Sequence, residues 1–260
     1  MRKKWNAGRA ILYSIRSVCQ SYHVLLGAVI CFLVLVAETA GAAYDIMFCG
    51  ATGLEDVYYF NIALHFGYFI WAAPLICAFA GSGVYCNVHE AGFYRQQLIR
   101  GGFGRSCSSI WFGGTISGGT ALAGGVLLFA LFQIIVFEPC QDATIIASVD
   151  GWLPLLATKH GGLWYMLAHA GLAFVFGAVW SGIGIILSVF QPNRYICYFS
   201  PFVLCMCAAL ALPSRFQPLE MLVQMQWENF NFPKLLLYQG TLYSAGYVVF
   251  RYIFKKELIQ

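Results

Sequence analysis

Between two long apolar runs lies NVHEAGFYRQQLIRGGFGRS, residues 87–106, which gathers Glu90, Arg95, Gln96, Gln97, Arg100 and Arg105 in a chain that is 60% hydrophobic and only 10% charged. Carboxylate and guanidinium groups at this density suit recognition, through charge-assisted and often bidentate hydrogen bonds to a partner. From Val88 to Arg100 the one helix breaker is Gly92, and Gly101-Gly102 supplies a stop, so the stretch predicts a short amphipathic helix. Glu90, Arg95 and Arg100 would then face water, with Phe93 and Leu98 free to fill a partner's pocket. A solvated linker is the alternative.

Inside the apolar runs, ionisable groups are few. Ion-coupled carriers and proton relays use a carboxylate or other titratable group at mid-depth. Glu38, His65 and His169 all fall toward the ends of their runs. Glu38 can line a polar cavity or reach the headgroups. His65 and His169 would offer haem ligands if they faced each other, and are otherwise hydrogen-bonded core histidines. Ser117, in TISGG, lacks a Gly-x-Ser-x signature and has no histidine partner evident by spacing, so no residue is assigned a catalytic role. Ten cysteines occur without a C-x-x-C, which leaves no metal-ligand set, and Cys31, Cys77, Cys197, Cys205 and Cys207 read as small apolar packers. Cys49 and Cys140 fall outside the runs on one side, where an oxidising exterior could join them; two unpaired thiols is the other reading.

The elements that carry these residues follow from composition. A chain of 260 residues with so few charges cannot coat a soluble globule, and runs of roughly 20 apolar residues predict membrane-spanning helices, hence an all-α polytopic membrane protein. Six spans are expected, at 24–43, 60–86, 109–137, 163–190, 195–213 and 235–254. The third is long enough to tilt or to project beyond the hydrocarbon. Its Gly114-x-x-x-Gly118 and Gly125 form a small-residue ridge for close helix contact, either within the chain or between two chains. Pro74 should bend the second span.

Basic residues set the expected orientation, since Lys and Arg collect in short cytoplasmic loops. With the start inside, Arg2, Lys3, Lys4, Arg9, Arg16, Arg95, Arg100, Arg105, Arg194, Arg251, Lys255 and Lys256 are cytoplasmic, which leaves only Lys159, Arg215 and Lys234 of the 15 bases outside. Both termini are thus expected in the cytoplasm, and the net charge of +4 reads as topology, without a nucleic-acid partner. Residues 1–23 imitate the head of a signal peptide. Their Ile11, Leu12, Ile15 and Val18 nevertheless share one helical face, which predicts an interfacial helix ahead of a six-span domain at 24–260. That domain has an inner loop at 87–108 and outer loops at 44–59, 138–162 and 214–234. The stretches 150–158 and Pro218 onward carry short apolar patterns that could dip into the outer leaflet or serve as aromatic-anchored loops.

Glu90-x-Gly92, then Leu98-Ile99-Arg100, a glycine-rich turn, Arg105 and a glycine-rich third span together resemble the inner loop of type-2 ABC exporter permeases. The six-span layout with its interfacial helix is similar as well, although the lysine often found at the start of that family's third span is absent. The resemblance implies a transport subunit, not an enzyme, in a cell membrane, on its features a bacterial plasma membrane. ATP and Mg would bind a separate cytosolic ABC ATPase, in keeping with the lack of a G-x-x-x-x-G-K-[ST] motif here. A second copy or a homologous permease would complete a pathway among membrane lipids, and Glu90, Gly92, Phe93, Arg95, Leu98 and Arg100 would couple it to the ATPase. An ion-coupled carrier is the alternative, and an intramembrane enzyme or haem protein the next.

Overall fold

A computed structural model describes residues 22–50, 55–90, 102–139, 162–213, 216–223 and 232–257. Its helices are α1 (Tyr22–Cys49), α2 (Asp56–His65), α3 (Phe69–Gly81), α4 (Val84–Glu90), α5 (Phe103–Val136), α6 (Gly162–Phe190), α7 (Arg194–Ala211), α8 (Pro218–Val223) and α9 (Phe232–Glu257). Among the described residues the only strand-like pairing is one parallel bridge, in which the Asp56 amide donates to the Glu138 carbonyl at 2.9 Å and ties the start of α2 to the end of α5.

Five segments are long and apolar enough to cross a membrane: α1, the α3–α4 run Phe69–Glu90, α5, α6 and α7. The chain is therefore an all-helical, multi-pass membrane protein. The 26 residues of α9 have the length, but Gln239, Thr241, Ser244 and four tyrosines dilute its apolar character. At 34 residues α5 is about 51 Å long against a hydrocarbon core of roughly 30 Å, so it tilts or projects as its sequence predicts.

The second span differs from expectation in where it breaks. Helix α3 runs through Pro74, and the chain instead interrupts at 66–68 and at 82–83. Glycine explains both sites. A Cβ on Gly67 would lie 2.7 Å from the Ala63 carbonyl oxygen and 2.7 Å from Glu38 Cγ, and one on Gly83 would lie 2.7 Å from the Tyr198 hydroxyl and displace that ring, so each bend lies close against a residue of another helix. At the first break, Glu38 of α1 accepts the Tyr68 amide proton at 2.9 Å and occupies a donor that the new start of α3 would leave open.

Helices α5 and α6 form the centre, and α1, α7 and α9 the periphery. The third-span ridge is consumed inside this centre. Cβ atoms on Gly114, Gly118 and Gly177 would come 2.6–2.9 Å from the carbonyl oxygens of Gly81, Cys77 and Gly118 respectively, so α3, α5 and α6 meet backbone to backbone. Gly125 does the same against α1, where its Cβ would lie 2.9 Å from the Ala28 carbonyl. Flanking the crossing are two apolar clusters. One, toward the Glu138 end of the bundle, holds Phe60, Phe129, Met166 and Phe176; the other, toward the Glu90 end, holds Tyr85, Trp111, Ile185, Phe250 and Phe254.

Candidate functional site

The residue types singled out by the sequence converge at one end of the bundle. Glu90 closes α4 and Arg194 opens α7, and the two form a bidentate ion pair: Nε donates to Oε1 at 3.1 Å and a terminal guanidinium nitrogen to Oε2. Local sequence places each partner. Gly83 ends one break and starts α4, whose seven residues carry Glu90 to the mouth of the loop at 91–101. Asn193 caps α7 by accepting the Tyr195 amide proton at 2.9 Å, which sets Arg194 in its first turn. Both side chains stay about half exposed, at 54% for Arg194 and 45% for Glu90. Beneath them, Cys86 of α4 and Cys197 of α7 are fully buried, and Phe79 meets Tyr198 with ring centroids 5.6 Å apart. The pair is thus a strut across the bases of two adjoining connections.

That pairing changes the reading of Glu90. The sequence assigned it to a partner's groove, and the fold gives it Arg194 within the same chain, 104 positions away. Gly92, Phe93, Arg95, Leu98 and Arg100 lie outside the described residues, as do the stretch 150–158, Cys140 and all but Tyr22 and His23 of the interfacial helix expected at 1–23. Cys49 is exposed at the end of α1. Gly114, Gly118 and Gly125 serve contacts within the chain, which answers the question the ridge left open.

The polar groups inside the bundle fall into small clusters. His65 and His169 meet edge to face, with ring centroids 5.8 Å apart and planes at 77°. Tyr165 stands 4.6 Å from the His169 ring and Phe60 6.0 Å from it, so aromatic rings fill the surroundings of the pair. A nitrogen of His65 is 2.9 Å from the Asn61 carbonyl, and the Tyr165 hydroxyl donates to the Asn61 side chain at 3.0 Å. Ser117 is buried in α5 at the glycine crossing. Among the described residues no three potential ligands gather as a metal set.

Sequence reading missed three groups. Gln133 donates to Thr39 at 3.4 Å and links α5 to α1. Thr115 and Tyr243 share a hydrogen bond of 3.0 Å, and Ser108 and Tyr247 one of 2.8 Å, so two tyrosines of α9 point inward at α5. The four-residue recurrence of Gln239, Tyr243 and Tyr247 was the available signal, since it places all three on one face. The third group, Gln239 itself, lies buried without a partner.

No protein-family model, no curated protein and no solved structure matches the chain, so class rests on fold and composition alone. They define a multi-pass helical membrane protein.

Proposed function

We propose that the chain is the transmembrane subunit of an ATP-driven exporter, with ATP hydrolysed on a separate cytosolic ABC ATPase. The observation that carries this reading is the Glu90–Arg194 strut. It braces the polar 87–108 loop against the base of α7, so a force applied to that loop is passed to two helices at once instead of being absorbed by a floppy linker. The breaks at 66–68 and 82–83 divide the path above the strut into short rigid pieces, as a rigid-body switch between two packings requires. Arg95 and Arg100, with Phe93 and Leu98, would supply the contact to the ATPase. Co-purification of a P-loop ATPase with the chain, and ATP-dependent efflux from vesicles containing both, test the reading. Transport that follows an ion gradient without ATP would replace it with a secondary carrier.

Six spans with both termini cytoplasmic belong to the same proposal. Helix α9 would complete the count, since Tyr243 and Tyr247 hydrogen-bond to α5 while Leu236, Leu237, Leu242, Val248 and Val249 remain exposed for lipid. The Glu90 end of the bundle carries Arg105, Arg194, Arg251, Lys255 and Lys256, whereas the other end carries Asp45, Glu55, Asp56 and Glu138, a polarity that supports the Glu90 end as the cytoplasmic one. On a cysteine-free background, a cysteine at exposed Asp45 should label from outside and one at exposed Glu257 only after permeabilisation. Labelling of position 257 in intact cells would reject the even count. A second copy would have to meet a face other than the consumed glycine ridge. Gly240, Thr241, Ser244 and Ala245 give α9 an exposed stripe of small residues suited to it. Native mass spectrometry of the active complex should find two permease chains, and an active particle with one would defeat the dimer.

A further inference from the structure

Helices α6, α7 and α9 diverge around a cavity of about 360 Å³, within the size range of small-molecule sites. Its walls are apolar and aromatic, led by Trp111, Phe176, Trp180, Ile183 and Tyr238, and among the described residues no charged side chain lines it. Leu212, Leu242 and Val249 line the same space and are also exposed, so the cavity opens sideways, toward what would be hydrocarbon in a bilayer. Besides the Trp111 indole and the Tyr238 and Tyr243 hydroxyls, the described lining contains one amide side chain, Gln239. Gln239 is 2% exposed, and neither its amide nitrogen nor its amide oxygen has a hydrogen-bond partner.

We infer that this cavity binds an acyl chain attached through an amide, with the ligand's amide paired to the Gln239 side chain. The argument has three parts. A buried primary amide left with both its donors and its acceptor unused is costly, and the first residue of an N-acylated peptide satisfies both at once: its acyl-amide N–H donates to the Gln239 oxygen while that residue's own carbonyl, on the same side of the extended backbone, accepts from the Gln239 nitrogen. An ester offers only acceptors and leaves the Gln239 oxygen bare. The uncharged walls take an alkyl chain and exclude a charged head, which passes out through the lateral opening. Position also fits: Gln239 lies seven residues into α9, about 10 Å from its first residue, and Phe216 and Pro218 close the same end, so the amide sits near one membrane face with room for the chain beyond it. N-acylated amino acids and peptides have this chemistry. The inference stands apart from the exporter reading, since the purified chain alone should bind such a ligand.

The test uses a diazirine-bearing N-acylglycinamide and its ester analogue (the O-acyl glycolamide) of equal chain length, cross-linked to the full-length protein in nanodiscs and mapped by peptide mass spectrometry. The amide probe should label α6, α7 and α9 peptides about fivefold more strongly than the ester, the value of roughly one hydrogen bond. Gln239→Leu should abolish that preference while keeping residual labelling by both probes. Ala208→Trp, which fills the cavity from α7, should abolish labelling by either. Equal labelling by amide and ester in the parent protein, a preference that survives Gln239→Leu, labelling confined to other helices, or displacement of the amide probe by ordinary diester phospholipid would each overturn the proposal. Because Gln239→Leu removes only an unpaired polar group, its reading does not depend on whether Ala208→Trp folds.

Discussion

The glycine crossing of α3, α5 and α6 and the cavity between α6, α7 and α9 share a helix yet are built on opposite rules. At the crossing, side chains are removed until backbones touch, and Ser82 donates to the Ser181 carbonyl at 3.2 Å to lock the contact. Around the cavity the side chains are large and still fail to fill the space. In lipid no hydrophobic force draws helices together, so association depends on close contact and interhelical hydrogen bonds. The crossing has both. On the cavity side α9 is held to α5 by the Thr115–Tyr243 and Ser108–Tyr247 hydrogen bonds, without the carbonyl contacts of the crossing, which leaves the cavity wall better able to move or to admit a guest. One face of α6 is thus a fixed reference and the other a compliant wall.

The comparison breaks first at Gly81. A Cβ there would overlap the Gly114 carbonyl and lie 2.9 Å from the Gly118 amide nitrogen, both backbone atoms that cannot rotate away. Gly81→Ala should cost about 3 kcal/mol, the upper part of the usual overpacking range, and appear as a lowered thermal midpoint in detergent. Gly171→Ala, with nothing within 4 Å of its new methyl group, is the control and should be neutral or slightly stabilising. If the two alanines behave alike, the crossing is not the anchor.

At the cavity wall the expected loss is smaller. Ile183→Ala enlarges a space whose lining already lacks partner atoms, so it should cost about 2 kcal/mol, the low end for such truncations, in the same melt. A loss as large as that of Gly81→Ala would mean that the wall is closed in the protein's working state. Next comes Glu38→Ala, which removes the acceptor for the Tyr68 amide at the 66–68 break and should cost about 1 kcal/mol, as loss of a helix cap does. Glu38→Gln keeps an acceptor oxygen and should retain most of the midpoint.

How much of this was legible follows from what each feature depends on. Helix positions depend on runs of apolar residues, and the expected 24–43, 109–137 and 163–190 fall within Tyr22–Cys49, Phe103–Val136 and Gly162–Phe190 with boundary shifts of six residues or fewer and one residue of overhang at Phe137. The ridge at Gly114, Gly118 and Gly125 was visible because small residues recur one turn apart, but its partners were not: Gly81, Cys77 and Ala28 come from helices whose order around α5 no local pattern encodes. Pro74 was legible because a proline is a local signal, whereas the breaks at Gly67 and Gly83 answer to Glu38 and Tyr198 on other helices. The cavity was illegible for the same reason. Large residues at 176, 180, 183 and 238 read as ordinary core, and only the divergence of α6, α7 and α9 leaves space between them.

The smallest effect on stability, and the sharpest on mechanism, is expected at the Glu90–Arg194 strut. Half-exposed ion pairs add little to folding, so Glu90→Lys and Arg194→Glu should each melt close to the parent. Their consequence is for the transmission of force. If Glu90 acts by bracing the loop against α7, either reversal places like charges across the strut and should lower ATP-coupled transport several-fold, while the double variant Glu90→Lys with Arg194→Glu rebuilds the pair with opposite polarity and should recover most of it. If Glu90 instead reaches a groove on the ATPase, Glu90→Lys should weaken ATPase pull-down, Arg194→Glu should not, and the double variant should remain as poor as Glu90→Lys. Phe93→Ala separates the two contacts from the other side. Lost pocket filling should weaken ATPase pull-down in either case, because Phe93 carries no charge for Arg194 to answer. Rescue in the double variant together with failure in Phe93→Ala would divide the loop between an internal brace at Glu90 and a docking surface beyond it.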